Sequence, residues 1–356
     1  MIRYFTHKLA YAFLTLFGVV SLVFVLFNGL GDPARMMLDQ NASATQVAQV
    51  KHKYGFDKPL FKQYLYYLND LSPLSIHSQN SADFTAINKR FKAAKILETK
   101  KYAVVLKMPY LRESYFKQGK KVSSIIGETL PNTAILAIVS ISIAIVFGIL
   151  FGILSALYKD SFFDRSIALL STIGMSIPSF FSAILFAWFF GFLLHKYTGL
   201  NMTGSRYEVD DFGEGIFIQW KNLILPAVVL GIRPLAVIIQ LMRNSLLEVL
   251  DQDYIRTAKA KGLSQVQIIR KHALKNAMNP VVTAISGWFA SLLAGAVFVE
   301  YIFGWNGLGK EIVNALNQSD LPVIMGAVLV IASLFVAINI LLDLVYAWLD
   351  PKVKLY

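Results

Sequence analysis

The residues of this chain whose types and spacing could do chemistry are few, and each set is incomplete. Gly304, Gly309 and Lys310 reproduce the G-x-x-x-x-G-K spacing of a phosphate-cradling loop, but Glu311 stands where a Ser or Thr must hold magnesium. The near match reads as a glycine-rich re-entrant turn. Gly174-Met175-Ser176-Ile177-Pro178 lacks the second glycine of a nucleophile elbow. No H-E-x-x-H or comparable ligand cluster occurs, and a chain without cysteine has no disulfide, thiolate metal site or cysteine nucleophile. An enzymatic reading therefore has no constellation to rest on.

Polar residues set in apolar runs have a stronger physical claim. Arg233, beside Pro234, lies about ten residues or ~15 Å inside its run, where an arginine costs about 2.5–3.5 kcal/mol even on a lenient insertion scale. It must face a pore or a partner, and either a solute carboxylate or a structural ion pair or carbonyl contact would satisfy it. Arg243 and Asp343 fall at matching depths, ~30 and ~31 Å from the outer ends of their runs. They form either a salt bridge closing the inner end of a bundle, with Asn339 one turn above, or two separate residues snorkelling to the interface. Thr283, Gly287, Ser291 and Gly295 recur every four residues, a spacing that permits close helix packing within the subunit or against a second one, or pore lining. Ser176 and Pro178 mark a bent, polar-sided helix that either lines a path or packs through its kink.

The elements that position these residues follow from composition. Of 356 residues, 56% are hydrophobic and 16% charged, and mean hydropathy is +0.54. An ordinary soluble domain is about 45–50% apolar and about 25% charged, so two soluble domains, disorder and a coiled coil are all excluded in favour of a membrane protein. Six apolar runs can cross about 30 Å of hydrocarbon, near residues 9–30, 132–157, 167–194, 223–247, 280–303 and 322–349. The first is longer than a signal-peptide core and has no small-x-small site before Gly31-Asp32-Pro33, so it reads as a retained anchor. Lys and Arg concentrate in alternate connections: Arg3 and Lys8, Lys159 and Arg165, seven between Arg243 and Lys275, then Lys352 and Lys354. That bias places both termini in the cytoplasm. The short outer loops hold Lys196, Arg206, Lys221 and Lys310.

The expected organisation is an N-terminal tip with the first span (1–30), an outer loop subdomain (31–130), a five-helix core (131–349) and a cytoplasmic tail (350–356). In the outer loop, Pro59 opens an interfacial helix over 59–71 with Leu60, Tyr64, Leu65 and Leu68 on one face. A helix is expected over 84–99 and an extended piece near 102–107. The longest inner connection, 248–279, reads as two short helices. One covers 251–260, Gly262 interrupts, and Ser264 with Gln267 makes a capping box opening a second, in which Val266, Ile269 and Ala273 share a face. Such a hairpin is either a ridge that docks in a partner's groove or a solvated basic loop that enforces topology.

The stretch DYIRTAKAKGLS (253–264) followed by HALKNAMNP (272–280) resembles the cytoplasmic coupling loop of bacterial ABC importer permeases, in the form found in dipeptide and oligopeptide permeases. GDPA (31–34), YGFDKPLFKQYL (54–65), TLPNT (129–133), SIPSF (176–180), LILPAVVLG (223–231), RNSLLEVLDQDY (243–254), VEYIFGWNGLG (299–309) and LDPKV (349–353) agree in order along nearly the whole chain. Residues 75–112 lie outside the resemblance as an insert, which suggests a small lid or a docking surface for the binding protein. The wider family's Glu-Ala-Ala opening is replaced by Arg256-Thr257-Ala258, and its later Ile-x-Leu-Pro by His272-Ala273-Leu274-Lys275.

The resemblance implies an all-α bacterial inner-membrane protein with six transmembrane helices, similar to type I ABC importer permeases. It implies that the chain pairs with a second permease, that two cytoplasmic ATPase subunits use ATP and magnesium, and that an external binding protein delivers peptide. No cofactor is then held by the chain itself. The residues assigned by resemblance to the ATPase-coupling loop are Asp253, Tyr254, Arg256, Thr257, Ala258, Lys259, Lys261, Gly262, Leu263, Ser264 and His272. Gly262 would permit a tight turn at positive φ. The scaffold leaves nickel, glutathione or oligosaccharide open as cargo. A self-sufficient secondary carrier differs by independence from ATP. The net charge of +12 divides into two pools rather than signalling nucleic acid: that of the inner segments is assigned to topology and ATPase docking in a protein partnered by membrane lipid, and that of the long outer loop is concentrated near the insert.

Overall fold

The structure, a computed structural model, describes residues 2–29, 31–38, 42–80, 93–117, 119–209 and 215–349. It begins with α1 (Ile2–Gly29), α2 (Pro33–Met36), α3 (Ala44–Tyr54) and α4 (Leu60–Leu71), then β1 (Leu74–Ser78), β2 (Ala93–Glu98) and β3 (Tyr102–Lys107). Next come α5 (Val122–Leu157), α6 (Phe162–Ser176) and α7 (Ser179–Phe186), which continues as a π-helix over Ala187–Leu193, followed by α8 (His195–Thr198), β4 (Tyr207–Val209) and β5 (Ile216–Ile218). The remainder is α9 (Lys221–Leu250), α10 (Asp253–Ala260), α11 (Gln265–Ile268), a π turn (Ile269–Ala273), α12 (Leu274–Gly295), α13 (Val297–Phe303), α14 (Leu308–Asn317) and α15 (Leu321–Leu349).

Among the described residues, four helices are long and apolar enough to cross a bilayer, and two bent pairs raise the number to six. The third apolar run bends by 109° between α6 and α7. Its cause is Pro178, whose ring pushes Ile177 into extended backbone (ψ 129°) and which itself opens α7 as N-cap. The fifth run bends by 56° between α12 and α13.

The chain forms two compact units. One comprises residues 1–128 and 312–333. Its apolar cluster joins Val20 and Phe24 of α1 to Tyr64, Tyr67, Leu68 and Leu71 of α4 and to Met325 and Leu329 of α15. The buried face of α4 is thus the tyrosine-bearing one, while Leu60 and Leu65, expected to share an apolar face with Tyr64 and Leu68, are 60% and 46% exposed. Tyr67 offers more buried ring area than a leucine, and Arg112 stacks its guanidinium on that ring at 5.3 Å while Nε donates to Asp70 at 2.8 Å. Burial pushes the Tyr115 hydroxyl up to about 12, with Arg112 opposing.

Residues 93–98, expected to be helical, form β2 instead, and 81–92 lie outside the described residues. β3, the extended piece expected near 102–107, pairs antiparallel with β1 (Ser78 opposite Tyr102) and with β2 (Ala93 opposite Lys107), giving the order β1-β3-β2. Strand pairing overrides the helix propensity of Ala93-Ala94-Lys95 because β3 alternates, burying Ala103, Val105 and Lys107. The helical membrane fold therefore carries a small sheet in its insert.

Asp320, 2% exposed, precedes α15 and accepts from Ser114 Oγ, from Tyr115 N at 3.0 Å and from Phe116 N at 3.3 Å. Asp320→Ala strands those donors, at about 1–3 kcal/mol for an unmatched buried group. The expected outcome is faster protease nicking at 114–117 in the folded protein, measured by timed proteolysis.

The second unit comprises residues 129–311 and 334–355, with α9 at its centre. Two-thirds of the apolar window of α9 is buried, against 17% for α1. α5 closes on α9 through glycines: a Cβ at Gly148 would lie 2.6 Å from Ile238 Cγ2, and one at Gly152 2.6 Å from Met242 Cβ. Close approach of α5 and α9 is made at these glycines.

Candidate functional site

The hairpin joining α9 to α12 is built to hold an exposed surface rigidly. Ile255 and Ala258 of α10, Ile268 of α11 and Ala273 are buried and tie it to the core. Asp253, Tyr254, Arg256, Thr257, Lys259, Lys261, Gly262, Ser264 and His272 are all exposed, whereas Ala258 is buried and Leu263 half-buried. The loop residues assigned by resemblance thus share one hairpin, with Ala258 and Leu263 as its footing. Ser264 and Gln267 form the expected capping box, each side chain meeting the other's backbone N–H. Asn276 Nδ2 donates to Tyr254 Oη at 2.9 Å, pinning α10 to α12.

The second helix departs from expectation. It runs through a π turn at 269–273 straight into α12, so residues five apart fall in register and Ile268, Ala273, Ala277 and Val281 form the buried line. Val266, expected to share a face with Ile269 and Ala273, is 72% exposed. Gly262 has φ +79°, and a Cβ there would meet nothing within 4 Å. The turn requires glycine for its backbone, and the space beside it is open within this chain.

Inside the core, Arg243 binds Asp164 in a fork: Nε to Oδ1 at 2.6 Å and Nη2 to Oδ2 at 2.7 Å. Ser155 Oγ and the Asp160 N–H complete the carboxylate's partners. The partner that the described residues show for Arg243 is therefore Asp164, in the first turn of α6, whose carboxylate accepts from four donors in all, two of them the guanidinium's, and the expected Arg243–Asp343 bridge falls outside the described residues. The side chain of Asp343 lies outside the described residues, and Asn339 donates to the Phe335 carbonyl of its own helix at 2.9 Å. Sequence reasoning passed over Asp164, although Ser161-x-x-Asp164 carries the signature of a helix start.

Arg233 is exposed, and no described carboxylate pairs with it, which removes an ion pair within the described chain from its two readings. Ser176 and Pro178 are exposed at the bend, Ser176 bonding back to the Thr172 carbonyl. Thr283, Gly287 and Ser291 are exposed too, so this series does not pack within the described part of the subunit.

The glycine-rich turn at 304–310 holds no phosphate-shaped cradle, because Glu300 fills it. Its Oε2 accepts from Gly309 N at 2.7 Å and Lys310 N at 3.2 Å, capping α14, while Lys310 Nζ donates to the Gly304 carbonyl and Asn306 Oδ1. Around it, Trp305 Nε1 donates to the Asn132 carbonyl, Asn132 Nδ2 to the Asn306 carbonyl, and Leu308 N to Thr133 Oγ1. TLPNT and VEYIFGWNGLG, distant in sequence, interlock. A Cβ at Gly309 would sit 2.5 Å from Val297 Cα and 2.9 Å from Glu300 Oε2. Gly309→Ala is therefore expected to cost about 1–3 kcal/mol through overpacking, lowering the yield of monodisperse protein in fluorescence size-exclusion chromatography.

Comparison with known proteins accords with this arrangement. Residues 148–355 match the family described as binding-protein-dependent transport system inner membrane component, and residues 1–97 match its N-terminal counterpart. A putative peptide permease protein of Brucella suis is 34% identical over 99% of both chains. The dipeptide transport system permease protein of Escherichia coli is 32% identical, again over 99% of each. The oligopeptide transport system permease protein AppB of Bacillus subtilis is 34% identical over 95% of each. Among solved structures, an inward-facing methionine ABC transporter superposes with a TM-score of 0.52 at 18% identity, covering 64% of this chain and 97% of that one, a likeness of fold.

Proposed function

Because this chain belongs to the family of binding-protein-dependent transport system inner membrane components, the permease subunits of ABC importers, we propose that it forms half of the path by which short peptides enter the cell. The observation that carries the reading is the hairpin of α10 and α11, buried at its base and mostly polar at its tip, with Val266 exposed among the polar residues. A solvated topogenic loop has no need of a buried footing, a capping box and a positive-φ turn. A rigid lever that must transmit a partner's motion does.

On this reading a second permease completes the path, and each hairpin sits in a groove of one cytoplasmic ATPase subunit. The ATPases bind ATP and magnesium, and their closure moves the hairpins as rigid bodies, switching the path between inward and outward access. Both termini and the basic hairpin face the cytoplasm, following the positive-inside bias. The names of the relatives reported above, a putative peptide permease and dipeptide and oligopeptide permeases aligned over 95–99% of their length, support peptide as the cargo. An external binding protein delivers it. The insert's sheet, in which Leu74, Ile76, Tyr102 and Leu106 are more than half exposed, is the surface we assign to that protein.

Affinity purification of the intact assembly tests the reading. Two ATPase subunits and a second permease are expected to co-purify, and mass spectrometry of the captured binding protein is expected to find peptide. Recovery of this chain alone with ion-gradient-driven uptake would instead identify a secondary carrier.

A further inference from the structure

The helices packed on α9 leave one strip of it open. α5 covers it at Gly231, Ile238 and Met242, α6 reaches it where Gly174 meets Ile232 and Ala236, and α12 packs along it. At 3.6 residues per turn, Arg233, Val237, Gln240, Asn244 and Glu248 fall within about 80° of one another on what remains. None of the five is buried, and Arg233, Asn244 and Glu248 are exposed. Toward Lys221 the same strip continues as Asn222, Pro226 and Leu230, all buried. At Arg233 the strip therefore changes from sealed and mostly apolar to open and mostly polar.

Lipid does not account for that polarity. α5 shows what a hydrocarbon-facing surface of this protein looks like, with Ile138, Val146, Phe147 and Leu150 exposed. Asn244 and Glu248, ~30 Å and more from the outer end of the run, reach the inner interface, but Arg233 and Gln240, ~15 and ~26 Å in, stand at the depth of hydrocarbon, where such residues face water or a partner. From Arg233 to Glu248 the strip runs 15 residues, ~22 Å at the helical rise. Arg243, close to the same level as Asn244, is already committed to Asp164, whereas the guanidinium of Arg233 has no carboxylate partner among the described residues.

We propose that this strip lines the solute path from the Glu248 end and that Arg233, at its blind end, binds the carboxylate of the passing solute. The proposal rests on the importer reading and deepens it. A guanidinium takes a carboxylate bidentately and in a dry surrounding holds it well. Gln240 stands ~10 Å further along, about the length of three extended peptide residues, with an amide that can both donate to and accept from a peptide bond.

The absence of cysteine makes the test direct, since single cysteines can be placed in the native background. In the assembled complex in lipid nanodiscs, Gln240→Cys and Asn244→Cys are expected to react with a charged thiol reagent at least about tenfold faster than Ile138→Cys or Phe147→Cys on the lipid face or Leu230→Cys above the seal. A tripeptide with a free C-terminus is expected to slow labelling at 240, its C-terminal amide is not, and Arg233→Gln is expected to abolish the difference while Arg233→Lys keeps part of it. Equal labelling of strip and lipid-face positions overturns the path. Equal protection by acid and amide, or protection unchanged in Arg233→Gln, overturns the carboxylate site. Rescue of Arg233→Glu by a charge reversal in the second permease would make Arg233 an intersubunit pair and also overturn it. ATP-driven uptake measured on the same wild-type preparation separates these failures from failure of the importer reading, which alone predicts that uptake.

Discussion

Gly262→Arg is expected to leave the subunit inserted and assembled but to abolish most ATP-driven uptake. Two effects add. A non-glycine residue held at φ +79° costs of order 1–3 kcal/mol, about 5- to 150-fold in any equilibrium that needs the native hairpin. On the proposed reading the arginine side chain then adds bulk where the hairpin meets the ATPase groove. A series separates the two effects. Gly262→Asn tolerates positive φ and should lose least, Gly262→Ala reports strain without bulk, and Gly262→Arg adds bulk. Nothing lies within 4 Å of the Cβ position, so Ala isolates the backbone strain, and a loss in Arg beyond that in Ala reports the bulk of the longer side chain. Uptake and substrate-stimulated ATP hydrolysis in one preparation are the readouts, and equal loss in Ala and Arg would remove the groove from the explanation.

Arg243→Ala carries the second large effect, on stability. Asp164 has a side chain 3% exposed, and removing its guanidinium partner leaves a buried carboxylate uncompensated, a loss of about 3–5 kcal/mol. A sharply lower thermal midpoint and folded yield are expected, whereas Asp343→Asn should change neither comparably. The exchange Asp164→Arg with Arg243→Asp is not expected to rescue, because Ser155 and the Asp160 N–H donate to position 164 and an arginine there cannot accept. Rescue by that exchange, or an equally damaging Asp343→Asn, would show that the pair is wrongly drawn.

The contrast between Asp164 and Asp343 shows what the sequence could and could not disclose. Apolar runs gave the spans because length and hydropathy are local quantities. Matching depths for Arg243 and Asp343 were also legible, but depth along a helix leaves rotation undetermined, and a partner at the start of α6 lay on the unconsidered side. The hairpin of α10 and α11 was legible to the residue at Gly262 and at the Ser264–Gln267 cap, since both are decided by neighbours in sequence. Its buried line was not, because a π turn at 269–273 changes the period from which Val266, Ile269 and Ala273 were grouped. In the insert, Ala93 to Glu98 have helical composition and become a strand through pairing with β3, a tertiary effect. The open strip on α9 escaped notice for the same reason: Gln240, Asn244 and Glu248 are ordinary polar residues until packing covers every other side.

The most direct measurement of the central claim is peptide uptake into proteoliposomes holding this chain, its partner permease and the ATPase pair, with binding protein supplied at the extracytoplasmic face. Uptake that requires ATP on the opposite face, requires the binding protein, and collapses in Gly262→Arg with assembly intact is the predicted result. Peptide accumulation that proceeds without ATP under an ion gradient, or that is indifferent to Gly262→Arg, would contradict it.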